Sequence, residues 1–220
     1  ILPLNINKLA KVGVIGPNAN SIPCLEGNYN GTSSRYVTCL EGIRAACEGK
    51  ARVLYSQGSH LYMDRTSNLA MPDDRLAEAV GVAECCDVNI LCLGLDATLE
   101  GEEGDTGNEY SSGDKRDLQL PLCQRKLLDA VLATGKPVVV VLCAGSALAI
   151  DQGNAILQAW YPGQAGGTAL ATGMVSMDNR TKAKMQGYEG DPCGECGNYT
   201  LVRNGTCMKC NTCGGTTGCS

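Results

Sequence analysis

Carboxylates crowd one stretch of this 220-residue chain. Asp96, Glu100, Glu102, Glu103 and Asp105 follow the apolar run Val88-Asn89-Ile90-Leu91-Cys92-Leu93 and its terminating Gly94. Asp114 and Asp117 then lead on to Leu120-Pro121. The apolar run reads as a buried strand. An acidic, glycine-rich loop past the carboxyl end of such a strand is where an open α/β sheet presents ligands and proton-transfer groups. The same composition also describes a solvated surface loop. The lone histidine, His60, has no Cys, His or acidic triplet near it and reads as a surface or capping residue.

Sulfur is the second chemical resource, with 14 cysteines in the chain. Cys24, Cys39, Cys47, Cys85, Cys86, Cys92, Cys123 and Cys143 are scattered through the expected strands and helices. They read as free, mostly buried thiols that behave as small hydrophobes in a reducing compartment. The other six, Cys193, Cys196, Cys207, Cys210, Cys213 and Cys219, crowd the end of the chain. Two Cys-x-x-Cys-Gly knuckles, Cys193/Cys196 and Cys210/Cys213, flank a hairpin expected to turn at Asn204-Gly205. Four thiolates suit tetrahedral Zn²⁺, and so small a module needs such a staple. Cys207 could replace Cys210 or Cys213 in that set, and the alternative is that these cysteines are free or disulfide-paired.

The elements that must position these groups alternate in type. Lys11–Ile15, Val53–Tyr55, Val88–Leu93, Val138–Leu142 and Ala155–Trp160 read as strands. Helices are expected after Thr38, over Asp74–Cys85, from Pro121 to a cap at Gly135, and from Gly167. Thr38 and Glu41 make a capping box. Alternation of this kind argues a parallel sheet with helices on both faces. The net charge of −5 and the absence of a basic stripe argue against nucleic-acid binding. The longest apolar run, Pro137–Leu142, is strand-sized, so no membrane span is expected. The start, Ile1-Leu2-Pro3-Leu4, is unlike a signal peptide, so a cytoplasmic protein is expected, and the chain looks like part of something longer.

Several of these segments together resemble a known family. They are Val14-Ile15-Gly16-Pro17-Asn18-Ala19, Gly27-Asn28-Tyr29-Asn30-Gly31, Leu40-Glu41-Gly42-Ile43, Gly94-Leu95-Asp96 through Glu100-Gly101-Glu102, Asp117-Leu118-Gln119-Leu120-Pro121, and Gln158-Ala159-Trp160-Tyr161-Pro162-Gly163-Gln164. In this order they resemble the C-terminal α/β sandwich domain of glycoside hydrolase family 3, of the β-xylosidase and β-glucosidase kind, over residues 1–171. The resemblance implies a three-layer αβα sandwich with a mainly parallel sheet, here truncated, and a role in retaining exo-β-glycosidase chemistry. In that family the active site lies between this sandwich and a (β/α)8 barrel that carries the nucleophilic aspartate and chooses the sugar. The sandwich supplies the general acid/base, placed by position at Glu100, with Glu102 as runner-up; substrate-binding residues are not assigned. Glu102, Glu103 and Asp105 would raise the pKa of that acid. Cys39, where proline is expected, and Cys143, where a small polar residue is expected, depart from the family pattern.

Beyond a linker at 172–191, residues 192–220 form a zinc-ribbon-like hairpin tail resembling the C-terminal end of adenosylcobalamin-dependent ribonucleotide reductases. That resemblance implies a redox role for Cys207 and Cys219, which would carry reducing equivalents by thiol exchange. Cys219 as a frayed terminal thiol is the alternative. Three functions are therefore in play: a glycosidase sandwich needing a barrel partner, a zinc-binding or thiol-redox module, and a fusion inactive by itself. The glycosidase part calls for no cofactor.

Overall fold

The computed structural model describes residues 1–63, 71–100, 115 and 117–217. Two compact units divide the chain, Ile1–Met174 and Val175–Ser220.

The first unit runs β1 (Lys11–Ile15), α1 (Cys39–Cys47), β2 (Arg52–Ser56), α2 (Leu76–Cys85), β3 (Val88–Gly94), α3 (Leu122–Ala133), β4 (Val138–Cys143), β5 (Ala155–Gln158) and α4 (Gly166–Met174). Its five strands are all parallel, in the order β2-β1-β3-β4-β5. That is a doubly wound α/β sheet. β3 and β4 lie at its centre and are buried at every position, as a strand covered on both faces must be. Successive side chains alternate between faces. Ile15, Leu91, Leu93, Val138, Val140 and Leu142 pack with α2 and α3 residues such as Ala79, Ala83, Leu127 and Val131. Burying each of the larger aliphatic side chains is worth about 1.5–3 kcal/mol.

Local chemistry sets the ends of these elements. The Thr38 hydroxyl accepts from the Glu41 amide, and the Glu41 carboxylate accepts from the Thr38 amide at 2.8 Å, so the expected capping box opens α1. Pro121 stands at the N-cap of α3, one place earlier than expected, where its missing N–H is no loss. β5 ends at Gln158, short of the expected Trp160. Trp160 takes a left-handed backbone (φ +57°) that cannot continue a strand. Cys85 departs from the expected burial of the scattered thiols, being exposed while the other seven are buried.

The second unit holds α5 (Asn179–Met185), which lies within the expected linker, followed by β6 (Leu201–Asn204), β7 (Cys207–Cys210) and β8 (Thr216–Thr217). Asp178 caps α5 by accepting from the Thr181 amide. β6 and β7 are antiparallel with Asn204 opposite Cys207. The turn is therefore Gly205-Thr206, one residue beyond the expected Asn204-Gly205, with Gly205 at φ +65°. β8 adds a short third strand that the sequence pattern does not announce. No helix among the described residues is long and apolar enough to cross a membrane.

Candidate functional sites

The carboxyl end of β3 is built as a corner. Gly94 has φ +138°, and a Cβ there would sit 1.9 Å from the Cys143 carbonyl oxygen, so only glycine fits. The buried Gln124 on α3 clasps the corner. Its side-chain oxygen accepts from the Gly94 amide at 2.8 Å, while its amide group donates to the carbonyls of Gly94 and Leu61. The chain then curls over Asp96, whose carbonyl accepts from the amides of Leu99 and Glu100 at 3.0 Å each. The Asp96 carboxylate accepts from the Thr98 amide and hydroxyl. Leu95 and Leu99 face down onto Ala144, Leu61, Tyr62 and Leu148. This tethered turn aims one side chain, Glu100, back across the sheet.

Glu100 meets groups from the two neighbouring strand ends. Its Oε2 accepts from the Gly145 amide at 2.7 Å and from the Tyr161 hydroxyl at 2.7 Å, and its Oε1 accepts from the Ser146 hydroxyl. Gly145 and Ser146 follow β4, and Tyr161 follows β5. Three strands therefore converge on one carboxylate. Burial and the bond to Glu100 push the Tyr161 hydroxyl well above its ordinary pKa, so it stays a donor. Gly145 is needed here because a Cβ would lie 2.6 Å from the Tyr161 ring. Lys115 donates to the Ala147 carbonyl at 2.6 Å. Partial burial lowers its pKa, against the opposing pull of Glu100 and Asp117. A cleft of about 290 Å³ opens beside it, lined among others by Tyr62, Leu95, Leu99, Lys115, Asp117 and Arg125.

Among the expected site residues, Glu100 is fully placed, whereas Glu102, Glu103 and Asp105 lie outside the described residues. The groups that hold Glu100 were not singled out beforehand. Their signal was positional: Gly145-Ser146 and Tyr161 follow the fourth and fifth strands as Glu100 follows the third. His60 contributes its backbone carbonyl, which accepts from the Ser59 hydroxyl and the Cys123 thiol.

In the second unit, Cys193, Cys196, Cys210 and Cys213 bring their sulfurs within 4.8 Å of one another, and this cluster could bind a metal ion. The pairs Cys193–Cys213 and Cys196–Cys210 stand 3.7 and 3.6 Å apart. Four sulfurs held tetrahedrally at the usual Zn–S length would be about 3.8 Å apart, so the donor set fits the ion. The two knuckles are built alike: the Gly197 amide donates to the Cys193 carbonyl at 2.8 Å and the Gly214 amide to the Cys210 carbonyl at 2.9 Å. Each glycine has positive φ. The Thr200 hydroxyl draws Cys210 down to about 6. On Cys213 the Gly215 amide pulls the same way, but the crowding thiols of Cys196, Cys193 and Cys210 outweigh it and push that group up to about 12. Such crowding is relieved when a cation takes the place of the protons. Cys207 is disulfide-bonded and so has no thiolate to offer this cluster, and Cys219 lies outside the described residues.

A doubly wound α/β domain that presents a clamped carboxylate beyond its central strands defines the class of this protein. Residues 1–182 match the glycosyl hydrolase family 3 C-terminal domain, and the chain belongs to that family. A xylan 1,4-β-xylosidase of Xylanibacter ruminicola is 47% identical over 150 residues, covering 65% of this chain and 17% of that protein. A β-glucosidase structure from Erythrobacter marinus superposes with a TM-score of 0.66 at 35% identity, covering 79% of this chain and 25% of that one. Separately, a vitamin B12-dependent ribonucleotide reductase of Bradyrhizobium diazoefficiens is 63% identical over 54 residues, covering 24% of this chain and 4% of that protein. The chain spans about a quarter or less of the length of the glycosidase relatives it matches.

Proposed function

We propose that the first unit supplies the general acid/base of a retaining exo-β-glycosidase acting on terminal β-xylosides or β-glucosides, with Glu100 as the proton donor and acceptor. A (β/α)8 barrel partner supplies the aspartate nucleophile and selects the sugar. The observation that carries this reading is the convergence on Glu100 of donors from the ends of β4 and β5. The backbone N–H of Gly145 can only donate, so Oε2 stays an acceptor in both protonation states. The transferable proton therefore rides on Oε1, where the Ser146 hydroxyl can turn to accept from it or donate to it. From Oε1 it passes to the departing glycosidic oxygen, and the carboxylate left behind then activates the water that releases the sugar.

The test joins this chain to the barrel of a family relative and follows cleavage of aryl β-xylosides and β-glucosides. Glu100→Gln should slow turnover of poor leaving groups by about 10²–10⁴-fold, while a substrate with an activated leaving group still forms the glycosyl-enzyme. No cleavage by the joined protein, or an undiminished rate in Glu100→Gln, would sink the assignment and move attention to Glu102. The free thiols of the first unit support a reducing, cytoplasmic setting.

A second reading concerns the second unit alone. Four sulfurs at tetrahedral spacing and the likeness to the reductase support a zinc-binding, thiol-redox tail. Cys193, Cys196, Cys210 and Cys213 would hold the ion, and Zn²⁺ would supply a structural cross-link there. One Zn²⁺ per chain, lost in Cys193→Ser, is the expected result of metal analysis, and a metal-free preparation with an intact hairpin would oppose it. If neither activity is found, the chain is a fusion without activity of its own.

A further inference from the structure

The cleft beside Lys115 is built from groups that proton transfer at Glu100 does not use. At about 290 Å³ it lies at the small end of the range for ligand pockets, about 300–1,000 Å³, and has room for one six-membered ring. Leu95 and Leu99, no more than 7% exposed, give it a buried apolar wall. Met63 and Leu122, also in its lining, are 62% and 59% exposed. Apolar surface therefore stands in water where a ring could cover it.

Two cations share this lining. Arg125 stands exposed in the first turn of α3, and among the described residues neither it nor Lys115 is in an ion pair. The Lys115 ammonium spends one N–H on the Ala147 carbonyl at 2.6 Å and keeps two. The Arg125 guanidinium offers the planar fork that matches a carboxylate. Asp117 is the acidic residue of the lining, and one of its oxygens already accepts from the Gln119 amide at 2.8 Å. Two cations against one carboxylate leave the cleft net positive.

The cleft also shares its walls with Glu100. Leu99 is the residue before Glu100, and Ala147 follows Ser146, whose hydroxyl donates to Glu100 Oε1. A group departing from Oε1 therefore has the cleft at its side.

We propose that this cleft is a leaving-group subsite that takes one aromatic ring bearing a carboxylate, the ring against Leu95, Leu99 and Leu122 and the carboxylate met by Lys115 and Arg125. The leaving-group role rests on the reading of Glu100, whereas binding of the free aryl acid does not. A sugar acid fits less well, because its hydroxyls would lose water against aliphatic walls.

The first measurement uses the full chain alone at neutral pH. It is titrated with para-hydroxybenzoate while the methyl signals of Leu95, Leu99 and Leu122 are followed by NMR. These should shift saturably, and the neutral para-hydroxybenzyl alcohol should bind about 2–5-fold more weakly, the scale of an exposed ion pair. Added salt should narrow that gap. Arg125→Gln and Lys115→Gln should each close part of it; the first changes an exposed side chain, and the second keeps a donor for the Ala147 carbonyl. Equal binding of acid and alcohol, tighter binding of glucuronate, or no shift at these methyls overturns the proposal. The second measurement uses the barrel-joined protein and the ratio of kcat/KM for para-carboxyphenyl and para-carbamoylphenyl β-xylosides. That ratio should fall about 2–5-fold in Arg125→Gln, a comparison in which the difference in leaving-group acidity cancels. An unchanged ratio in a protein that Glu100→Gln disables removes the subsite and leaves Glu100 standing. Acid bound by the chain without cleavage by the joined protein removes the role of Glu100 and, with it, the leaving-group role of the cleft.

Discussion

At the scale of single residues, Glu100 shows how a carboxyl group is aimed. Its oxygens accept from an amide and two hydroxyls, and hydrogen bonds of this kind are worth about 1.5–3 kcal/mol each when the acceptor is ionised. Tyr161 is the donor whose removal changes least else. In the barrel-joined protein, Tyr161→Phe should lower kcat about 10-fold for poor leaving groups and shift the alkaline limb of the pH–rate profile, where the proton donor loses its proton, with KM little changed. An unaltered pH profile would show that Tyr161 only packs. Gly145→Ala tests the same contact from the other side. Its Cβ would press on the Tyr161 ring from 2.6 Å, so the ring must leave Glu100, and a kinetic defect like that of Tyr161→Phe is expected.

At the scale of elements, the question is what holds the corner after β3. Gln124 is wholly buried and serves both polar groups of Gly94. Gln124→Met keeps the volume but leaves those backbone groups unpaired, at about 1–3 kcal/mol apiece. A loss of about 3 kcal/mol in urea unfolding, followed by the emission of the single tryptophan, is expected; a loss below 0.5 kcal/mol would show that water replaces the clasp. Trp160 offers a second test. Its left-handed backbone in a bulky residue costs on the order of 1–3 kcal/mol. Trp160→Gly should therefore be more stable than Trp160→Ala by about 1 kcal/mol, a comparison in which the lost ring cancels. This left-handed backbone also explains why β5 ends before the expected Trp160. Residues 155–160 read as one strand through Trp160, but a backbone sign change leaves no trace in hydrophobicity. By contrast, the Thr38–Glu41 box and the runs of β3 and β4 were legible because local spacing alone specifies them. Asn89 within the β3 run is accounted for only by the fold: its amide donates to the Ala83 carbonyl at 3.2 Å near the end of α2. Likewise, Glu100 could be placed on its loop by counting from a strand, whereas Ser146 and Tyr161 became its partners only once the order of β3, β4 and β5 was known.

At the scale of the whole molecule, the two units are held together internally by different means. The first buries a continuous aliphatic core between sheet and helices. Among the described residues of the second, Cys193, Leu201 and Cys210 form a small buried cluster, with Met208 packed against them. Units with so little apolar core need a cross-link to fold. Binding of a structural metal is then folding free energy, on the order of 10–16 kcal/mol for small zinc modules at neutral pH. With Zn²⁺ bound as proposed, a strong chelator should therefore abolish amide-exchange protection across the β6–β7 pairs, such as Leu201 with Cys210 and Arg203 with Met208. The urea midpoint read from Trp160, which belongs to the first unit, should not move. Restoring Zn²⁺ should recover the protection in the wild type but not in Cys210→Ser. Persistence of the hairpin under chelation would show that β-pairing and the Cys207 disulfide suffice, leaving the four gathered sulfurs without a structural task.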